Sequence, residues 1–181
     1  MNKSSLRRKI LNLRRSNLNR RIKLNPKKLL SLIKKNKFSF KYIGCYYPSN
    51  YEIDTSEIIN FLRKKNLHIC LPIIKKNHQM DFFEWSENDL LRINKYGIVE
   101  PVSKKKMFPD IILLPLVAFD KNLNRLGYGG GFYDRYIYKI SKIKKVMKIG
   151  LSYSYQEVKN LPINIHDQKL DFVFTEKGII Q

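Results

Sequence analysis

The chain is predicted to adopt an α/β fold: one domain, residues 1–181, whose mainly parallel sheet is flanked by helices in a Rossmann-like three-layer sandwich. Short apolar runs that suit buried strands alternate with amphipathic stretches that suit helices, which is the pattern of this fold class. The run from Asp110 to Leu114 is almost wholly apolar, as expected of a strand covered on both faces. No repeat or low-complexity linker divides the chain, whose length suits a domain of roughly 100 to 200 residues.

The N-terminal part is predicted to contain three helices. Apolar residues recur among arginines and lysines from Ser4 to Ile22, so one stripe of a long helix should face the core. A proline interrupts this pattern, because it has no N–H donor, and Lys27 to Lys35 resumes it. A further helix is expected to reach Lys65, with Asp54 and Glu57 as its capping pair. The remaining predicted elements are strands at 40–47, 67–74, 79–85, 110–114, 147–152 and 170–175, a helix at 132–140 and a helical turn at 156–160.

The charge of the chain invites comparison with nucleic-acid-binding proteins. Lysine and arginine number 36 against 15 aspartates and glutamates, a net charge of +21, and no acid precedes Glu52. This balance suits a nucleic-acid partner. Ile, Asn and Lys are, however, abundant throughout, so we interpret the charge as compositional drift and expect no specific nucleic-acid partner. A basic RNA-associated binding protein is the alternative.

Nothing in the sequence indicates a membrane or a secreted protein. No run approaches the roughly 18 apolar residues of a spanning helix, and the basic N-terminus lacks the apolar stretch of a signal peptide. We therefore expect a cytoplasmic monomer with no membrane partner. Cys45 and Cys70 lack C-x-x-C spacing and are interpreted as packing residues.

The glycine-rich segment from Arg125 to Asp134 carries the strongest functional signal. It follows a strand and enters a helix, so its main-chain N–H groups and the helix N-terminus can converge on a phosphate. Glycine lets phosphate oxygens approach the main chain, and Arg125 adds a charged donor. Asp134 is a candidate ligand for magnesium, which takes one or two protein carboxylates.

Two familiar nucleotide-binding motifs do not fit this segment. No Lys-Ser or Lys-Thr pair follows the last glycine, and Phe132 occupies the last position of the G-x-G-x-x-G pattern. A P-loop kinase and a dinucleotide dehydrogenase are therefore disfavoured. A flexible loop between a strand and a helix is the structural alternative to a phosphate site.

The segment D-I-I-L-L-P-L-V-A-F-D, residues 110–120, followed by R-L-G-Y-G-G-G-F-Y-D-R, residues 125–135, resembles the 5-formyltetrahydrofolate cyclo-ligase family, also called methenyltetrahydrofolate synthetases. The resemblance covers nearly the whole chain in the family's order. Its other matching positions are Lys3, Glu52 to Thr55, Leu71-Pro72, Met80 to Phe82, Tyr96 to Pro101, Asp167 and Asp171.

The resemblance implies an enzyme that converts 5-formyltetrahydrofolate to 5,10-methenyltetrahydrofolate, with ATP as co-substrate and Mg²⁺ as cofactor. A formamide oxygen is a poor leaving group, so transfer of the terminal phosphoryl group onto it activates the formyl carbon for ring closure, with release of ADP and phosphate. The positive charge of the chain is expected to favour polyglutamylated folate.

The resemblance also implies a set of site residues. ATP is expected to contact Lys3, Arg7, Arg125, Leu126, Gly127, Tyr128, Gly129, Gly130, Gly131, Phe132 and Tyr133, with Arg125 and Tyr133 as catalytic residues. Folate is expected to contact Tyr47, Glu52, Met80, Tyr96, Tyr128, Gly129, Gly130, Gly131 and Phe132, with Phe82 in the same apolar wall. Magnesium is expected to bind Asp134 and Asp167.

These residues also have ordinary structural interpretations. The basic residues suit the solvated face of a helix, and Arg8 replaces Arg7 if the register differs. Glu52 suits a helix start, where the helix dipole favours an acid, and Asp167 suits a turn. Met80 and the aromatic residues equally suit a core. A small kinase-like ATP user with another acceptor therefore remains an alternative function.

The segment before the glycine loop departs from the family. Leu123 stands at a position where glycine is common in the family. Asn122 or Asn124 is expected to take the left-handed conformation instead, because asparagine tolerates it.

Overall fold

A computed structural model describes residues 2–17, 22–36 and 39–181. The helices are α1 (Lys3–Ser16), α2 (Pro26–Lys35), α3 (Ser56–Arg63) and α4 (Phe132–Ser141), and a short 3₁₀ helix spans Ser154–Gln156. The strands are β1 (Tyr42–Gly44), β2 (His68–Ile74), β3 (Met80–Trp85), β4 (Leu91–Ile93), β5 (Val99–Pro101), β6 (Lys106–Met107), β7 (Ile111–Pro115), β8 (Ala118–Phe119), β9 (Arg125–Leu126), β10 (Met147–Leu151), β11 (Phe172–Thr175) and β12 (Gly178–Ile180). Within these ranges, no helix has the length and apolar character needed to cross a bilayer.

In the described part of the chain, the central sheet has eight strands in the order β12-β11-β10-β7-β1-β2-β3-β6. The inner strands from β11 to β2 run parallel to one another. Strand β12 at one edge and strands β3 and β6 at the other are antiparallel to their neighbours. The predicted α/β fold with a mainly parallel sheet is therefore confirmed.

Strand β7 shows why the inner strands are apolar on both faces. Ile111 and Leu113 point into a core layer shared with helices α2 and α3. Ile112 and Leu114 point into a second layer, on the opposite face, shared with helix α4. Successive side chains of a strand alternate between faces, so a strand that is buried on both faces is apolar at every position.

Helix α1 packs on the small sheet formed by β8 and β9. Its buried residues Leu6 and Ile10 contact the cluster that includes Val117. The helix ends at Ser16, and the next residue, Asn17, has its main-chain N–H bonded back to the Arg14 carbonyl. Residues 18–21 of the predicted helix lie outside the described residues. Residue 22 is described and is not helical, so the predicted end of the helix is wrong.

Two other predicted boundaries are wrong. The capping pair of Asp54 and Glu57 does not form at the start of α3. Thr55 occupies the N-cap position and donates its hydroxyl to the Tyr46 carbonyl at 2.8 Å, while Asp54 accepts from the N–H of Ser56 at 2.9 Å. The helical turn predicted at 156–160 lies two residues too late, since the 3₁₀ helix spans 154–156.

The turn before β9 places Leu123 itself in the left-handed region, with a φ of 63°. The expectation that Asn122 or Asn124 takes this conformation is therefore wrong. Asp120 supplies the physical reason, because its Oδ1 accepts the N–H groups of Asn122 at 3.0 Å and of Asn124 at 3.1 Å. These bonds fix both asparagines and leave the strain, roughly 1 kcal/mol for a residue with a Cβ, on the leucine.

A buried acid ties the antiparallel edge of the sheet to helix α4. The side chain of Asp81 on β3 is 5% exposed and pairs with Lys75 at 2.7 Å, Lys106 at 3.0 Å and Lys139 at 3.0 Å. Burial alone raises the pKa of Asp81, but the hydrogen bonds from the three lysines outweigh it and lower the pKa to about 2. The cluster therefore stabilises the folded state whenever Asp81 is ionised.

We predict that Asp81→Asn lowers the free energy of unfolding at pH 7 by about 2 kcal/mol, which corresponds to the shift in pKa. Because the folded pKa lies below the unfolded value of 3.8, this stabilisation is present above pH 4 and is lost as the pH falls toward 2. At pH 3, urea unfolding should therefore show a difference in stability between wild type and Asp81→Asn that is roughly half the difference at pH 7.

The matched control is Glu57→Gln, which removes an exposed ion pair with Lys23 and should change stability by less than about 0.5 kcal/mol. The interpretation of the cluster is wrong if Asp81→Asn and Glu57→Gln lower the free energy of unfolding by equally small amounts at pH 7.

Candidate active site

A cavity of about 670 Å³ opens at the carboxyl ends of the parallel strands, beside the ends of β1 and β7. The chain continues from β1 toward one edge of the sheet and from β7 toward the other, and such switch points are the usual ligand sites of α/β proteins. Apart from Phe82, the cavity brings together the residues predicted to bind ATP, folate or magnesium: Lys3, Arg7, Tyr47, Glu52, Met80, Tyr96, Arg125 to Asp134, and Asp167.

The glycine-rich loop between β9 and α4 presents main-chain donors to this cavity. Gly129 and Gly131 have φ values of 108° and 64°, in the region that favours glycine. Within the described ranges, the N–H groups of residues 128–131 donate to no protein acceptor. Together with the N-terminus of α4, they are available to bind an anion.

Helix α1 brings two basic side chains to the same cavity. Arg7 donates from Nε to the carbonyl oxygen of Gly127 at 2.7 Å, so the helix holds the start of the glycine loop. Lys3 lies one turn earlier and also lines the cavity. Arg8 is exposed and does not line it, so the helix register places Arg7 at the cavity.

Two carboxylates lie beside the loop, each paired with a basic residue. Arg125 donates from Nη2 to Asp134 at 2.7 Å, and Lys3 donates to Asp167 at 2.5 Å. Asp134 also accepts the N–H of Gln168 at 3.1 Å, which brings the chain around residue 167 to the start of α4. Among the described residues, no three His, Cys, Asp or Glu side chains cluster as a metal site. The two aspartates can therefore hold a cation only together with phosphate or water oxygens.

Glu52 follows β1 and lines the same cavity. Its Oε2 accepts the N–H of Ser49 at 2.8 Å. Burial raises the pKa of the Glu52 carboxyl above its usual range. The N–H of Ser49, the hydroxyl of Tyr128 and the charge of Arg14 act in the opposite direction, because each favours the carboxylate.

Apolar and aromatic side chains complete the cavity. Met80 is buried at the start of β3, and Tyr47 is exposed after β1. Tyr96, between β4 and β5, meets Phe132 edge-on with 6.3 Å between ring centres. Phe82 does not line the cavity, contrary to expectation, because it lies two residues further along β3 and is fully buried in the core.

The sequence interpretation missed Arg14, which is 2% exposed. Leu13 is one of the apolar residues that recur between Ser4 and Ile22, but it is exposed at 37%. Arg14 takes its place in the buried series Leu6, Ile10 and Arg14, spaced by four residues. An arginine at a core-facing position of a helix was therefore a signal available in the sequence.

Two further residues of this region were missed. Arg135 donates to the carbonyl oxygens of His78, at 3.0 Å, and of Gly130, so it ties the glycine loop to the turn between β2 and β3. Asn164 lines the cavity and donates its N–H to Asp167 at 2.7 Å. The contacts of Arg135 and Asn164 involve loops. Loop conformation leaves no periodic pattern in the sequence, so these contacts could not be predicted.

The sequence profile of the 5-formyltetrahydrofolate cyclo-ligase family matches residues 1–176. The chain is 36% identical over 137 residues to the 5-formyltetrahydrofolate cyclo-ligase of Haemophilus influenzae, covering 72% of this chain and 73% of that protein. It is 31% identical over 182 residues to the enzyme of the same name from Mycoplasma genitalium, covering 96% and 97% of the two chains.

Two solved structures have the same fold. The 5,10-methenyltetrahydrofolate synthetase of Mycoplasma pneumoniae superposes with a TM-score of 0.71 at 26% identity, over 96% of this chain and 98% of that chain. The synthetase of Aquifex aeolicus superposes with a TM-score of 0.75 at 29% identity, over 100% and 93% of the two chains. By sequence and by fold, the chain belongs to the 5-formyltetrahydrofolate cyclo-ligase family.

Proposed function

We propose that the chain converts 5-formyltetrahydrofolate to 5,10-methenyltetrahydrofolate, using ATP and magnesium and releasing ADP and phosphate. The observation that carries the proposal is the single cavity, which joins an anion-binding glycine loop, a carboxylate pair and a glutamate beside an apolar wall. The glycine loop suits a phosphate, the two carboxylates suit a cation, and the glutamate with the apolar wall suits a reduced pterin. Membership of the family supports the same conclusion.

The reaction requires the formyl oxygen to become a leaving group. A bond forms between this oxygen and the terminal phosphorus of ATP as the bond to the ADP oxygen breaks. The N10 lone pair of the folate then attacks the formyl carbon, N10 loses its proton, and the carbon–oxygen bond breaks to release phosphate. The protein has mainly to align the two substrates and to balance charge on the moving phosphoryl group.

Arg125 and Tyr133 are proposed as the catalytic residues. The Arg125 guanidinium lies 5.9 Å from the centre of the Tyr133 ring, and Arg125 lines the cavity, so it is placed to donate to a phosphoryl oxygen there. Burial, the largest influence, raises the pKa of Tyr133. Its hydroxyl therefore stays protonated and can donate a hydrogen bond to an oxygen that gains negative charge.

Asp134 and Asp167 are proposed as magnesium ligands, and their chemistry fits. Two carboxylates suit a hard cation that keeps waters and takes the remaining oxygens from phosphate. When bound, magnesium neutralises charge on the phosphates. Arg125 pairs with Asp134, and Lys3 pairs with Asp167. When nucleotide and magnesium bind, Arg125 and Lys3 should transfer from the two carboxylates to the phosphates. The carboxylates should then bind the magnesium.

The remaining lining residues are proposed to hold the reduced folate. Glu52 can accept hydrogen bonds from the N–H groups of the pterin, and Met80, Tyr47 and Tyr96 offer apolar and aromatic surface to its rings. Tyr128 and the glycines belong to the proposed phosphate loop and line the same cavity as this wall. One loop thereby contacts both substrates and brings the formyl oxygen to the phosphate.

We predict that purified protein forms the methenyl-folate absorbance band from 5-formyltetrahydrofolate only when both ATP and magnesium are present. Asp134→Asn should lower kcat/KM by at least about 100-fold, because one of the two carboxylates proposed to hold the magnesium that neutralises the reacting phosphate is lost. Asp89→Asn, on an exposed turn, is the matched control and should retain the wild-type rate. Folded protein that binds ATP and 5-formyltetrahydrofolate but forms no methenyl product would refute the proposed reaction.

We predict that Gly129→Ala weakens binding of magnesium–ATP by about 10-fold, because an added Cβ forces the positive φ of the loop to change. Gly178→Ala is the matched control, since Gly178 has a φ of 149° at the start of β12, away from the cavity lining. Both variants should lose roughly 1 to 2 kcal/mol of stability, measured by thermal unfolding. Calorimetry that finds equal nucleotide affinity in the two variants would contradict a phosphate-binding loop.

The folate substrate is proposed to carry a polyglutamate tail. A second depression of about 590 Å³ adjoins the cavity and shares Ile74 and Tyr96 with it. Its other lining residues include Lys75, Lys76, His78, Arg92 and Lys95. Glu100 is the acid among its lining residues, and it is already bonded to Asn94 and to the N–H of Ile74. A chain of carboxylates leaving the cavity on this side would meet a basic surface.

We predict that a pentaglutamate tail lowers the KM for folate by roughly 10-fold at low salt and that added salt shrinks this advantage. Lys76→Gln with Lys95→Gln should remove most of it. Lys27→Gln with Lys28→Gln, two exposed charges on α2, should not. Equal KM values for mono- and pentaglutamate substrates at low salt would eliminate the idea.

A further inference from the structure

Arg14 joins three separate segments around the folate side of the cavity. Its Nη1 donates to the main-chain oxygen of Asn50 at 3.2 Å and to the hydroxyl of Tyr128 at 2.5 Å. Its Nη2 donates to the main-chain oxygen of Leu116 at 2.5 Å. These partners belong to the loop that carries Glu52, to the glycine loop and to the end of β7.

The surroundings of Arg14 are unusual for a buried arginine. Within the described ranges, no carboxylate lies within 4.0 Å of its guanidinium nitrogens, and its Nε has no hydrogen-bond partner. Buried charges are normally paired, because removal from water is unfavourable. A leucine at this buried position of α1 would need no hydrogen-bond partners. The presence of an arginine is therefore explained if the site requires its charge and its donors.

We propose that Arg14 is a positioning residue for the reduced folate, acting through Tyr128 and through the loop of residues 48–52 to hold Glu52 in its binding geometry. The inference rests on the proposed function and adds to it a residue that does not line the cavity. Arg14 fixes the Tyr128 hydroxyl as an acceptor on one side, which leaves its proton to be donated toward Glu52.

The charge of Arg14 also matters for Glu52. The groups facing Glu52 from neighbouring elements are Arg14 of α1, Tyr128 of the glycine loop, Tyr46 after β1, Tyr133 of α4 and Tyr153 after β10. Arg14 is the charged member of this set at neutral pH. A positive charge stabilises the carboxylate, so removing it should raise the pKa of Glu52 further and move the loss of folate binding to higher pH.

Kinetics of Arg14→Met, compared with wild type, test the proposal. The variant should raise the KM for 5-formyltetrahydrofolate by about 10-fold while changing the KM for magnesium–ATP by less than about threefold. The acidic limb of kcat/KM for folate should move to higher pH. Arg15→Met, at the exposed neighbouring position of α1, is the matched control and should show neither change.

Tyr128→Phe keeps the inference testable if Arg14→Met does not fold. This variant removes only the bridging hydroxyl, so it should reproduce the selective rise in the KM for folate. The double variant Arg14→Lys with Tyr128→Phe should raise the KM for folate by less than the product of the two single increases, because both changes act through one hydroxyl. Independent multiplication of the two effects would overturn the proposed route, as would equal increases in both KM values for Arg14→Met.

The outcomes separate this inference from the proposed function. If wild-type protein forms no methenyl-folate, the proposed function fails, and direct binding of 5-formyltetrahydrofolate to wild type and Arg14→Met still measures the positioning role. If wild type is active and Arg14→Met is folded with an unchanged KM for folate, only the role of Arg14 is refuted.

Discussion

The packing of helix α1 on the small sheet of β8 and β9 is the interaction on which the candidate site depends. Leu6 and Ile10 bury one face of the helix against β8 and β9. This packing fixes the direction of the polar side chains on the adjoining face, so Lys3 and Arg7 reach the cavity. The same helix carries Arg14 into the interior. A shift of α1 would therefore disturb the phosphate side and the folate side together.

The candidate metal carboxylates of the cavity are paired with basic side chains, as Asp81 is elsewhere in the fold. The chain has a large excess of lysine and arginine, yet its candidate metal carboxylates are held in close pairs with basic residues, as in Arg125 with Asp134. Such pairs leave neither charge unbalanced in a partly buried place.

Much of the fold and of the candidate site could be predicted from the sequence. Apolar runs such as β7 identified the inner strands, because burial on both faces leaves a strong signal. The glycine loop was recognisable because its residues are constrained by backbone conformation. Short strands such as β8 and β9 were missed, since two residues give no periodicity. Leu123 shows an effect that the conformational preferences of single residues do not supply, because the Asp120 side chain in the same turn fixes the N–H groups of Asn122 and Asn124.

The central claim is that one glycine loop brings the terminal phosphate of ATP to the formyl oxygen of folate. The most direct measurement is to supply 5-formyltetrahydrofolate labelled with oxygen-18 in the formyl group and to analyse the released phosphate by phosphorus NMR or mass spectrometry. Phosphoryl transfer onto the formyl oxygen predicts that each product phosphate carries one labelled oxygen. Unlabelled phosphate, with the label released into water, would contradict the claim.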